Sequence, residues 1–67
     1  MDDFGPRLKA LREARGINRK ALGELCGRSK NLIGQYEAGQ KHPSMGTLME
    51  LSDCLDVSVD VLLGKLF

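Results

Sequence analysis

Lys30, Asn31 and Gln35 stand at the first, second and sixth positions after Ser29, a residue suited to capping the start of a helix. On a helix their side chains share one face. The two amides are neither nucleophiles nor general acids, and all three residues are hydrogen-bonding groups. Lysine can donate to guanine O6 and N7, and the amides of asparagine and glutamine can pair with adenine N6 and N7. In a helix whose N-terminal end enters a DNA groove, these are the positions that face the bases. Taken alone, the same three residues are also ordinary solvated polar groups. Gly34 lies on that face and would let the backbone approach a base or a methyl group.

Little else in the 67 residues could do chemistry. His42 is the single histidine, and Cys26 and Cys54 are the two cysteines, not in a C-x-x-C pair. That is a poor zinc set. There is no Ser/His/Asp set, phosphate loop or paired carboxylates in an evident pocket, so no enzyme activity, metal or cofactor is implied. Each cysteine falls at an apolar helical position and reads as a buried, reduced thiol, with a disulfide or a reactive thiol as the alternative.

The elements that would hold these residues are legible from caps and periodicity. Asp3 is a plausible N-cap for a first helix, with Pro6 tolerated in its first turn and Phe4, Leu8, Leu11 and Ala14 as its apolar stripe. Gly16 ends it. Asn18 caps a second helix with stripe Ala21, Leu22, Leu25 and Cys26, stopped by Gly27. Ser29 caps a third, carrying Leu32, Ile33 and Tyr36 and followed by Gly39. After the loop Gln40-Lys41-His42-Pro43, Ser44 caps a fourth helix with Leu48, Met49, Leu51, Cys54 and Leu55. Asp56 takes the terminating left-handed position less comfortably than glycine would. Ser58 caps a short fifth helix through Val59, Val61, Leu62 and Leu63, ended by Gly64. The expectation is an all-α fold: one domain over residues 1–67, a compact bundle of five short helices and no sheet.

Two helices meeting near a right angle need a small residue where the partner passes close, a positive-φ residue in the turn, and apolar residues facing inward from both. Gly23, Gly27, and the set Leu22, Cys26, Ile33 and Tyr36 supply these. The stretches Leu22-Gly23-Glu24-Leu25-Cys26-Gly27 and Ile33-Gly34-Gln35-Tyr36-Glu37-Ala38-Gly39 resemble the Cro and phage-repressor family of helix-turn-helix domains, the XRE or lambda-repressor-like type. Leu8-Lys9-Ala10-Leu11-Arg12, Lys41-His42-Pro43-Ser44 and Leu51 to Leu63 extend the likeness from about Phe4 to Gly64. Arg28, Gly34 and Asp56 depart from the family's habits, Arg28 where a small apolar residue or threonine is usual and Asp56 where glycine is common.

The resemblance implies a sequence-specific, duplex-DNA-binding transcriptional regulator that represses by occupying an operator. Lys30, Asn31 and Gln35 would read bases; Asn18, Arg19, Arg28, Ser29, Lys41 and His42 would meet the phosphate backbone, some at helix N-termini that favour anions. The resemblance also implies a structural ion pair between Arg12 and Glu37 that holds the third helix to the first. A protein-interaction module of the same fold, such as an antirepressor or antitoxin subunit, is the alternative. Residues 1–42 carry nine lysines and arginines against five acids, and residues 43–67 one against four, as expected if one face meets a polyanion. The apolar end, Val61, Leu62, Leu63, Leu66 and Phe67, is either part of a small core or a dimer surface, and the resemblance implies a homodimer through it. The chain lacks a signal peptide's charged and apolar regions and any bilayer-length apolar run, which points to the cytoplasm, and a nucleoid-associated bacterial or phage-encoded protein.

Overall fold

The computed structural model describes residues 3–64. Its five helices are, in order, α1 (Phe4–Ala14), α2 (Arg19–Cys26), α3 (Lys30–Glu37), α4 (Met45–Leu55) and α5 (Val59–Leu63). The described residues contain no strand.

Four of the five starts are capped as side-chain chemistry requires. Asn18 Oδ1 accepts from the Ala21 amide at 2.8 Å, Ser29 Oγ from Leu32 at 3.1 Å, Ser44 Oγ from Thr47 at 3.3 Å and Ser58 Oγ from Val61 at 3.1 Å. Asp3 stands at the expected N-cap position of α1 but is the exception in its bonding. Its backbone has already turned (φ −95°, ψ 4°) and its side chain caps nothing; the Asp3 carbonyl instead accepts from the Arg7 amide at 3.0 Å. A capping side chain needs an extended backbone to fold back over the first turn, and Asp3 does not have it. Asp56 does adopt the left-handed conformation, at φ 56°.

The core is aliphatic, with two aromatics. Leu8, Leu22, Ile33, Leu51, Leu55 and Leu62 are fully enclosed, with Phe4, Cys26, Tyr36 and Leu48 beside them. Helix α3 packs on both α1 and α2, α4 on α2 and α5, and α5 closes on α1. Leu25 and Met49 are in phase with the apolar stripes of their helices, but both are more than half exposed, as is Met45. Periodicity marks a residue as able to face the core; α2 and α4 are each covered on one side only. Cys26 is buried and Cys54 half-buried, and both are free thiols. Burial, with Cys54 alongside, pushes the Cys26 thiol up to about 11.

Candidate nucleic-acid interface

The α2–α3 corner is built on two glycines. Gly27 ends α2 at φ 68°, a conformation that a β-branched residue resists. Gly23 sits where a Cβ would collide with the Arg28 carbonyl oxygen, and the Arg28 amide donates to the Gly23 carbonyl at 2.7 Å. The close approach that Gly23 permits is therefore to the turn itself, one step before the body of α3. Gly5 is a second such glycine, and the motif in the sequence does not include it. A Cβ on Gly5 would collide with the Glu37 carbonyl and lie 2.8 Å from that of Tyr36, so α1 crosses the end of α3 backbone to backbone. The available signal is a glycine kept inside a helix at a propensity cost of about 1 kcal/mol.

With its inner side held by Ile33, Tyr36 and Glu37, α3 turns its other side outward. There Lys30, Asn31, Gly34, Gln35 and Ala38 line an open groove together with Arg19 from α2 and Gln40 from the loop after α3. The three residues expected to read bases are thus brought together: Lys30 and Asn31 exposed, Gln35 partly so. Gln40 is an addition to the set expected from the sequence. The amides of Gln40 and Lys41 both donate to the Gln35 carbonyl, at 2.9 and 3.3 Å, which folds the loop back onto the end of α3. Beyond it, Lys41 and His42 rim a second cleft with Phe4, Gly5 and Tyr36. The His42 ring stacks at a tilt on Phe4, centroids 5.4 Å apart. Its Nδ1 lies 3.0 Å from the Pro43 carbonyl, an acceptor only, so the proton belongs on Nδ1.

The groups expected at phosphates are divided by the structure. Asn18, Ser29, Lys41 and His42 lie near the starts of α2 and α3 or in the loop after α3, and all four are exposed. Arg28 is occupied elsewhere. Its Nη2 donates to Glu50 Oε1 at 2.5 Å and to Thr47 Oγ1 at 3.2 Å, and its Nη1 reaches the carbonyls of Cys26 and Gly27, both at 3.4 Å. It braces the turn against α4. The acceptors come from an element far along the chain, which no local pattern announces.

Arg12 and Glu37 meet in a buried bidentate pair, Nε to Oε2 at 2.7 Å and Nη2 to Oε1 at 3.2 Å, while Arg12 Nη1 donates to the Ile17 carbonyl at 2.9 Å. Arg19 Nε also donates to Glu37 Oε1, at 3.0 Å. Burial by itself would push the Glu37 carboxyl up, but the bonds from the two arginines and their charges outweigh it and hold the group below its ordinary value. The bond to Glu37 raises Arg12 against the opposing effect of burial.

The chain is similar to known proteins in sequence and in fold. The helix-turn-helix family profile matches residues 8–62. The SPbeta prophage-derived uncharacterized HTH-type transcriptional regulator YonR of Bacillus subtilis is 38% identical over 60 residues, 90% of this chain and 56% of that protein. The chain spans about half the length of several of the curated relatives it matches. Among solved structures, the c2 repressor of phage P22 in complex with a synthetic operator superposes with a TM-score of 0.83 at 36% identity, covering 88% of this chain and 89% of that one. The restriction-modification controller protein C.AhdI from Aeromonas hydrophila superposes with a TM-score of 0.86 at 33% identity, covering 90% and 87%.

Proposed function

We propose that this chain, which belongs to the helix-turn-helix family, regulates transcription by binding duplex DNA sequence-specifically through α3. The observation that carries the reading is the convergence of Lys30, Asn31 and Gln35 on one outward face of α3, flanked by Arg19 and Gln40. These residues can donate to and accept from base edges in the major groove. The similarity to a repressor solved in complex with a synthetic operator supports it. Asn18, Arg19, Ser29, Lys41 and His42 meet phosphates on either side and set the register. The mechanism is occupancy of an operator, acting as a repressor in the cytoplasm, without bond chemistry.

Two copies bind one operator as a homodimer, on half-sites roughly 34–36 Å apart. The expected dimer surface is the C-terminal segment. Leu62 is enclosed in the core of the protomer, while Val61 and Leu63 remain half-buried; Leu66 and Phe67 lie outside the described residues. Among the described residues, the dimer therefore draws on Val61 and Leu63.

Selection of bound sequences from a random duplex pool, with footprinting of the selected site, tests this reading. Enrichment of a dyad-symmetric site supports it. Binding with no sequence preference at any salt concentration overturns it, and a footprint over one half-site without a dyad overturns the dimer.

A further inference from the structure

Glu37 is one carboxylate shared by two guanidinium groups of different standing. Arg12 is buried and spends Nε, Nη1 and Nη2 on the protein. Arg19 is half exposed and spends only Nε; among the described residues its two Nη groups have no protein partner. One negative charge against two positive ones leaves a surplus positive charge, and it resides on the exposed member. The Arg19 stem lies over α3 at Gly34, where a Cβ would stand 3.8 Å from Arg19 Cδ. A side chain longer than alanine at position 34 would occupy the place of the arginine. Arg19 thus lines the same groove as Lys30, Asn31 and Gln35.

We infer that Glu37 is a positioning residue for DNA binding: it holds Arg19 across the gap at Gly34 so that the two unpartnered Nη groups meet a backbone phosphate. The inference rests on the DNA-binding function proposed for α3. It assigns Glu37 a role beyond anchoring α3 to α1, because the carboxylate that fastens the helix also aims a cation beside it. A guanidinium fixed at Nε presents its Nη pair in one orientation, so less side-chain freedom is lost on binding. Lysine carries the same charge but cannot bond the carboxylate through one nitrogen and a phosphate through two others.

The test measures affinity of the full chain for its selected site and for random duplex, across a salt series, with the folded fraction monitored by far-UV circular dichroism. Arg19→Gln is expected to weaken both duplexes about tenfold and to lower the slope of log affinity against log salt by about one. Arg19→Lys is expected to keep most of that slope and still lose several-fold in affinity. Glu37→Gln, compared at equal folded fraction, is expected to weaken binding in wild type and to add nothing in the Arg19→Gln background. Should Glu37→Gln fail to fold, Arg19→Lys against Arg19→Gln decides by itself. Wild-type affinity for Arg19→Lys, additive losses in the double variant, or a loss confined to one base position each overturns the inference while leaving the function intact. A wild-type chain that binds no duplex at any salt overturns both.

Discussion

Arg12 Nε lies 2.7 Å from Glu37 Oε2, and this pair, 25 positions apart in sequence, is the buried polar link between the first helix and the third. Both side chains are almost wholly enclosed, at 8% and 2% exposure. Removing Glu37 leaves the Arg12 guanidinium charged in a buried site, with the Ile17 carbonyl as its remaining partner and no counter-charge. Glu37→Ala is therefore expected to cost about 3–5 kcal/mol, a large share of the stability of any small domain. Chemical denaturation measures it; an unchanged midpoint would mean that Arg12 finds another acceptor or swings out to water.

The same carboxylate predicts the acid response. Its value in the folded chain is lowered, since the bonds from Arg12 and Arg19 outweigh burial. A group depressed on folding contributes stability that is complete above its unfolded value, about 4.3 for glutamate. That contribution is lost as pH falls through the folded value. Denaturation midpoints measured from neutrality into acid should fall more steeply for wild type than for Glu37→Gln. Parallel curves would assign acid sensitivity to other groups.

Arg28 distinguishes a brace from a phosphate contact. Its bonds to Thr47 and Glu50 are partly exposed, the Glu50 side chain being 50% accessible, so screening limits their value. Arg28→Ala is expected to lower stability by about 0.5–1.5 kcal/mol and to leave the salt dependence of DNA binding nearly unchanged. A drop of about one in the salt slope with stability intact would return Arg28 to the phosphate backbone.

Gly5 and Gly34 should respond to alanine in opposite directions. At Gly5 the new methyl meets the backbone carbonyls of Tyr36 and Glu37, which cannot turn aside as a flexible side chain can. A loss of about 1–3 kcal/mol is expected from forcing α1 off α3. At Gly34 the methyl meets the Arg19 stem at 3.8 Å, an ordinary contact, so Gly34→Ala should gain up to about 1 kcal/mol of helix propensity. Thermal melting of the two variants settles both.

Base contacts and phosphate contacts differ in kind. Asn31→Ala or Gln35→Ala is expected to cost about 1–3 kcal/mol on the preferred site, concentrated at one base position. Lys41→Ala should weaken all duplexes alike and flatten the salt dependence. Unchanged preference and affinity in both helix variants would show that α3 does not read the groove.

Helices, caps and turns can be read directly from the chain because their causes are local. Asn18, Ser29, Ser44 and Ser58 each bond an amide three residues on, and Gly27 and Asp56 need only their own backbone angles. The one cap that fails, Asp3, does so through its backbone angle, which residue type does not dictate. The outward set Lys30, Asn31 and Gln35 is likewise legible, since a helix of known start and known inner stripe has a calculable outer face. Sequence alone leaves open how the elements meet. Gly5 under Glu37, Arg28 on Glu50, Gln40 at the groove, and Arg19 sharing the carboxylate of Arg12 all depend on where one helix lies against another. Hydrogen bonds and steric contacts act over a few ångströms, so a pair 18 or 25 residues apart acquires meaning only when packing brings it together. The same packing decides that Leu25 and Met49, apolar and in phase with the core, are left at the surface.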